Sequence, residues 1–181
     1  MIWLARHGET PYNVERRFQG QTHVPLNDKG VEQAHALAEA VATSGIDFVS
    51  LWCSPLARAR QTADVVAART GLEPQEDPRL METATGEWTD RLFADVERED
   101  PERFAAYHAT DPDFGFPGGE TLKDQQERVV AAVVDITQSG RVPALVVCHR
   151  GVIRCLRAHT HRRGLETFMS WDVPNGTLEA L

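Results

Sequence analysis

The chain has 181 residues, 41% of them hydrophobic, a length and composition that suit one globular domain spanning residues 1–181. A formal net charge of −8 at pH 7 argues against general nucleic-acid binding, which needs a basic surface to neutralise phosphates, and points to small molecules as partners. No apolar run approaches the roughly 20 residues that cross a bilayer, and the start MIWLARHGET has no basic segment followed by a long apolar one, so no membrane partner and a cytoplasmic location are expected.

In chain order, a strand over residues 2–5 runs into Arg6-His7-Gly8. Val31, Ala34, Leu37, Ala38, Val41 and Ala42 then fall at helical spacing, and the segment stops at Ser44-Gly45. A second strand, 48–53, leads to Ser54-Pro55, where a capping hydroxyl and a first-turn proline predict a helix over 55–69 that Gly71 ends. After a short strand comes Leu80-Met81-Glu82. The stretch 90–119, richer in charge, aromatics and proline, reads as a short helical insertion rather than a second domain. Glu120-Thr121 opens a helix running to Gln138, with Val129, Val130, Ala132, Val133 and Ile136 on its apolar side. A strand at Ala144–Cys148 ends in His149-Arg150-Gly151, and a last strand covers 177–181. The alternation predicts a three-layer α/β sandwich with a mostly parallel central sheet flanked by helices, its ligands at the carboxyl ends of the strands. Three of those ends carry Arg6-His7, Arg58 and His149.

A phosphate monoester is a dianion, and arginine offers it both charge and forked donors. Arg6, Arg17 and Arg58 are the candidates. An isolated arginine usually belongs to the surface, but Arg6 follows a strand directly and Arg58 sits in the first turns of a helix, where a cation opposes the dipole and an anionic ligand would relieve it. Beside guanidiniums, His7 is held neutral, with a ring nitrogen available to attack phosphorus. His149 would donate to the phosphoryl oxygens. An alkoxide leaving group also needs a proton donor; Glu82, in apolar surroundings that would raise its pKa, fits that role, although spacing leaves Glu87 and Glu120 equally open.

These residues lie in segments that resemble the histidine phosphatase superfamily, the phosphoglycerate mutase-like group: RHGETPYNVERRFQG at 6–20, PLNDKGVEQA at 25–34, CSPLARARQTA at 53–63, LMETATGEW at 80–88, PGGETL at 117–122 and VVCHRGVIR at 146–154. Order and spacing agree along nearly the whole chain. The resemblance implies a phosphoglycerate mutase-like fold and a phosphohistidine on His7. It implies Arg6 and Arg58 as phosphate clamps, Glu82 rather than its neighbours as acid and base, and His149 as the second catalytic histidine. Asn13 would touch the phosphoryl group, Arg17, Gln19 and Gly20 would close over the substrate, and Gly151 would add a binding position. It further implies that neither metal nor cofactor is needed, so that Cys155, His159 and His161 are helix and surface residues rather than ligands. The chain departs from the pattern at Trp88-Thr89-Asp90, where Trp-Glu-Gly is frequent, and at Arg150, where the family often has glycine or alanine; Arg150 either reaches the pocket mouth or faces solvent.

The expected activity is therefore metal-independent hydrolysis of a small phosphorylated metabolite. The short insertion disfavours a cofactor-dependent mutase, and the joint presence of His7, Glu82 and His149 disfavours a catalytically weak module that binds phospho-ligands or proteins. Cys148 and Arg154 also fall at the C-x5-R spacing of cysteine-dependent phosphatases, but that leaves Arg6, His7 and Arg58 without a purpose. Phe93, Phe104, Tyr107, His108, Phe114 and Phe116 either wall the pocket or pack the insertion onto the core.

Overall fold

A computed structural model describes residues 1–111 and 114–181 of the protein. Its sheet has the order β3-β2-β4-β1-β5, with β1 (Ile2–Arg6), β2 (Ser50–Cys53), β3 (Pro74–Glu76) and β4 (Ala144–Cys148) parallel and β5 (Leu178–Ala180) antiparallel at the edge beside β1. Successive side chains of a strand point to opposite faces, and both faces are covered here. Ala144, Val146 and Cys148 enter one apolar cluster, while Leu145 and Val147 enter the other.

The second cluster is closed by α2 (Asp28–Thr43) and α3 (Ala57–Thr70), which bring Leu37, Ala38 and Val41 against Ala59, Ala63 and Val66; the small alanines let the two helices lie close. The first cluster is closed by α6 (Leu122–Gln138) and α7 (Arg150–Thr160), and by aromatic rings from α5 (Pro101–Ala109) and its surroundings. Asn27 caps α2, and Thr121 forms a reciprocal capping box with Asp124 at the start of α6. The chain thus runs β1, β2, β3 with its helices on one face and returns to β4 through α6 on the other. That reversal leaves a crevice at the carboxyl ends of β1 and β4, the usual place for a ligand in such sheets.

Three local expectations need correction. Phe48 and Val49 precede β2 rather than forming part of it, with Val49 donating to the Pro143 carbonyl from an exposed position. The helix expected from residue 55 begins at Ala57, because Leu56, still extended, occupies the N-cap without a side-chain bond. Ser54 is therefore not the cap; its hydroxyl lies 2.8 Å from His149. Within 90–119 two short helices form, α4 (Phe93–Glu99) and α5, whereas Pro112 and Asp113 of that stretch lie outside the described residues. No described helix is long and apolar enough to cross a membrane.

Candidate active site

His7 leaves β1 and is almost wholly buried. Its backbone N–H continues the ladder to the Cys148 carbonyl, while Gly8 N–H donates to the hydroxyl of Thr62. Gly8 has to be glycine: a Cβ there would sit 2.2 Å from the carbonyl oxygen of Gly30 in the first turn of α2. The His7 ring makes a 2.6 Å contact from Nδ1 to the Gly8 carbonyl. A carbonyl can only accept, so Nδ1 carries the proton and Nε2 keeps an unshared lone pair. Burial first, then Arg58 and Arg6, holds this histidine well below its ordinary pKa, so the ring is neutral at physiological pH.

The two arginines expected to clamp phosphate are tied to backbone. Arg58, in the first turn of α3 and 1% exposed, donates to the Thr22 and Gly20 carbonyls; Arg6 donates to the Val173 carbonyl. Both retain a buried Nε–H with no partner among the described residues. Burial lowers Arg6 to about 9, with Arg150 adding to the effect, and lowers Arg58 to about 10, Glu82 opposing in each case. Cations destabilised in this way favour an anion between them. His149 packs against His7, ring centroids 5.1 Å apart, with Nε2 on Ser54 Oγ and a buried Nδ1 that has no partner among the described residues. Burial, again ahead of Arg58, keeps it neutral too.

Glu82 follows a turn of 3-10 helix at Pro78–Leu80, and Arg128 staples its loop by donating to the Arg79, Met81 and Glu82 carbonyls. Its Oε1 accepts from Thr83 N–H (2.9 Å) and Gln125 Nε2 (3.1 Å), and its Oε2 from Gly151 N–H (3.1 Å). Gly151 leaves the room this needs, since a Cβ would stand 2.2 Å from Oε1. The expected upward pKa shift is not found. Burial pushes the carboxyl up, but the Thr83 and Gly151 amides together with Arg58 and Arg150 outweigh it, and the net shift is downward. Glu120, by contrast, is spent on Arg128 and the Ala84 amide, and Glu87 is exposed.

Arg6, His7, Arg58, Glu82 and Gly151 line one cavity of about 280 Å³, and Asn13, Arg17, Gln19 and Gly20 line it as well. Thr10 caps the short α1 (Pro11–Glu15) in a capping box with Asn13, whose Oδ1 accepts from Thr10 N–H and from Asn175; Gln19 accepts from the Thr10 hydroxyl. Arg17 is partly spent, on Glu15 and the Asp90 carbonyl, and Gly20 acts through its carbonyl on Arg58. Of the six insertion residues, Phe93, Tyr107 and Phe116 reach the cavity. Phe104 and Phe114 pack around Trp88 instead, and His108 is exposed.

Sequence reasoning missed Gln125, Ser54 as a partner of His149, Arg154 and Phe168. Gln125 did carry a signal, since it falls between Leu122 and Val129 on the buried stripe of α6 and so had to find a polar partner. Cys148, the alternative nucleophile, is fully buried, and burial pushes its thiol far above the ordinary value, so no thiolate is available. Cys155 turns toward Gln125, away from the exposed His159 and His161.

The site thus combines a mostly parallel α/β sheet with two neutral histidines and two buried arginines at or just beyond its strand ends. Residues 2–181 match the family model "Histidine phosphatase superfamily (branch 1)". The chain belongs to the histidine phosphatase superfamily. It is 34% identical to phosphoglycerate mutase-like protein 4 of Arabidopsis thaliana, over 95% of this chain and 76% of that one. It is 31% identical to the adenosylcobalamin/alpha-ribazole phosphatase of Escherichia coli, over 99% and 88%. Among solved structures, a mycobacterial glucosyl-3-phosphoglycerate phosphatase superposes with a TM-score of 0.85 at 29% identity, covering 98% of this chain and 90% of that one.

Proposed function

We propose that the protein is a metal-independent phosphomonoesterase that cleaves a small phosphorylated metabolite through a phosphohistidine on His7. The observation that carries this is the Nδ1 contact to the Gly8 carbonyl, which frees Nε2 of a neutral ring beside two backbone-tethered guanidiniums. Nε2 forms the N–P bond as the ester P–O bond breaks, and the Glu82 carboxylic acid passes its proton to the departing oxygen. Water then gives a proton to the Glu82 carboxylate and attacks phosphorus, releasing phosphate and restoring the imidazole. Arg6, Arg58, His149 and the Asn13 amide supply donors to the phosphoryl oxygens. In the free pocket Glu82 is a carboxylate, so the proton for the first step arrives with the substrate monoanion or is taken up as the phosphate dianion raises the carboxyl's pKa.

The cavity volume, just below the range of drug-sized ligand sites (roughly 300–1,000 Å³), supports a small metabolite rather than a macromolecule as substrate. Release of phosphate from p-nitrophenyl phosphate in the presence of a chelator tests the activity. Turnover that Cys148→Ser retains and His7→Ala removes is expected; a silent protein across many esters would favour a module that only binds.

A further inference from the structure

The segment between the 3-10 helix at Leu165–Ser170 and β5 is tied to the site at alternate residues. The Trp171 carbonyl accepts from Arg154, the Val173 carbonyl accepts from Arg6, and the Asn175 side chain donates to the His7 carbonyl. Such alternation turns one side of an extended segment toward the site. Asn175 differs from the other two because it contributes a side chain, which a substitution can remove. Backbone sets its place: Gly176 N–H donates to the Arg6 carbonyl and Arg6 N–H to the Thr177 carbonyl, so the turn carrying Asn175 is laddered to the residue before His7.

The Asn175 amide faces two acceptors. Its Nδ2 lies 2.9 Å from the His7 carbonyl oxygen and 3.3 Å from Asn13 Oδ1. Polarity alone fixes the orientation of both amides. Thr10 N–H can only donate, and it meets the Asn13 side chain at 3.1 Å, so the atom it meets is oxygen; the His7 carbonyl can only accept. Only the N–H₂ end of Asn175 satisfies both neighbours. With Asn13 Oδ1 taken up by Thr10 and Asn175, the Asn13 N–H₂ is the end left to donate to phosphate, as the reaction above requires.

The His7 carbonyl and the Gly8 N–H belong to one planar peptide unit. Asn175 holds its oxygen, and Thr62 Oγ1 holds its N–H at 3.1 Å. The next carbonyl along the chain, that of Gly8, is the one that accepts the His7 Nδ1 proton. A peptide pinned at both ends therefore orients the group that leaves Nε2 unprotonated.

Resting on the phosphatase reading, we propose that Asn175 is a positioning residue for phosphoryl transfer, which fixes the peptide that sets the His7 ring and turns the Asn13 amide toward the phosphoryl group. Asn175 is not among the residues lining the cavity, so it acts through these two neighbours.

Two substitutions separate a donor from a filler. Asn175→Asp keeps size and shape but sets a carboxylate against two acceptors, whereas Asn175→Ala only withdraws the donor. With p-nitrophenyl phosphate, kcat should fall roughly tenfold or more in Asn175→Ala, the worth of the lost hydrogen bonds, and further in Asn175→Asp. Thr177→Ala removes a hydroxyl bond to the Pro174 carbonyl in the same turn and controls for loosening alone; it should keep kcat within about twofold. Heteronuclear NMR of the histidine rings gives a readout without turnover, His7 being assigned by its absence from His7→Ala. The unaltered protein should show a His7 ring protonated at Nδ1, and both Asn175 variants a ring partly protonated at Nε2. An Asn175→Asp protein faster than Asn175→Ala, a Thr177→Ala loss as large as that of Asn175→Ala, or a His7 ring signal unchanged in both Asn175 variants would overturn the proposal. An unaltered protein that hydrolyses no ester, yet whose His7 tautomer shifts in the two variants, would refute the phosphatase reading and uphold the positioning role.

Discussion

The two ends of the cavity are held in place by different means. At the strand ends, Arg6 and Arg58 are locked onto backbone carbonyls and His7 onto its neighbour's carbonyl, so the donors are fixed before any ligand arrives. The aromatic wall is built from side chains resting on side chains, with Tyr107 and Phe116 packed edge to face on Trp88, Phe114 edge to face on Phe116, Phe18 tilted against Trp88, and Arg154 laid over Phe168. Backbone anchoring gives preorganised charge, which suits a group whose geometry never changes. Aromatic packing gives shape, which can differ from one relative to another without disturbing the chemistry.

Substitutions at each end should therefore separate rate from stability. Glu82→Gln keeps the shape and removes the transferable proton; kcat for an alkyl phosphate should fall roughly 100- to 10,000-fold, and less for p-nitrophenyl phosphate, whose leaving group needs little protonation. Equal losses with both esters would remove Glu82 from the proton-transfer role. Trp88→Ala, at the centre of the aromatic packing, should cost about 3–5 kcal/mol in chemical denaturation. A Trp88→Ala protein of unchanged stability would show that the ring cluster does not carry that wall.

The pH profile sharpens the contrast. Because the folded pKa of His7 is depressed, imidazole protonation should impose no acid limb on kcat/KM in the ordinary histidine range. Because Glu82 enters as a carboxylate, kcat/KM should instead fall on the alkaline side of the substrate's second phosphate ionisation, near pH ~6. An acid limb at ordinary histidine pKa would mean that His7 is solvated and charged. The smallest effect is expected at Gln125, whose Nε2 donates to the charged form of Glu82. Gln125→Leu withdraws that donor and raises the carboxyl's pKa, moving the alkaline limb of kcat upward by about one unit or less. A lower kcat with an unmoved limb would make Gln125 a packing residue only.

The histidine and arginine cluster was legible in the sequence because each of its residues ends a strand, follows one or opens a helix whose pattern is local: Arg6 and His7 at the end of β1, Arg58 at the head of α3, His149 after β4. What escaped depended on distant partners. The Ser54 hydroxyl looked like a helix cap until β4 brought His149 to it across 95 positions. The direction of the Glu82 shift turned on two amides, one of them from Gly151, which composition near residue 82 cannot reveal. The insertion rings could not be divided between lining and packing, since Phe104 and Phe116 are the same residue type and both meet Trp88, yet only Phe116 also lines the cavity.

The central claim is that phosphorus passes through Nε2 of His7, and the most direct test follows the label itself. Enzyme mixed with radiolabelled substrate should be quenched in base, where a phosphoramidate survives, and the labelled peptide mapped. Label on the peptide containing His7, absent from the His7→Ala protein and lost on a chase with unlabelled substrate, is the predicted result. Normal turnover with no label reaching that ring, or with label on another side chain, would contradict the account.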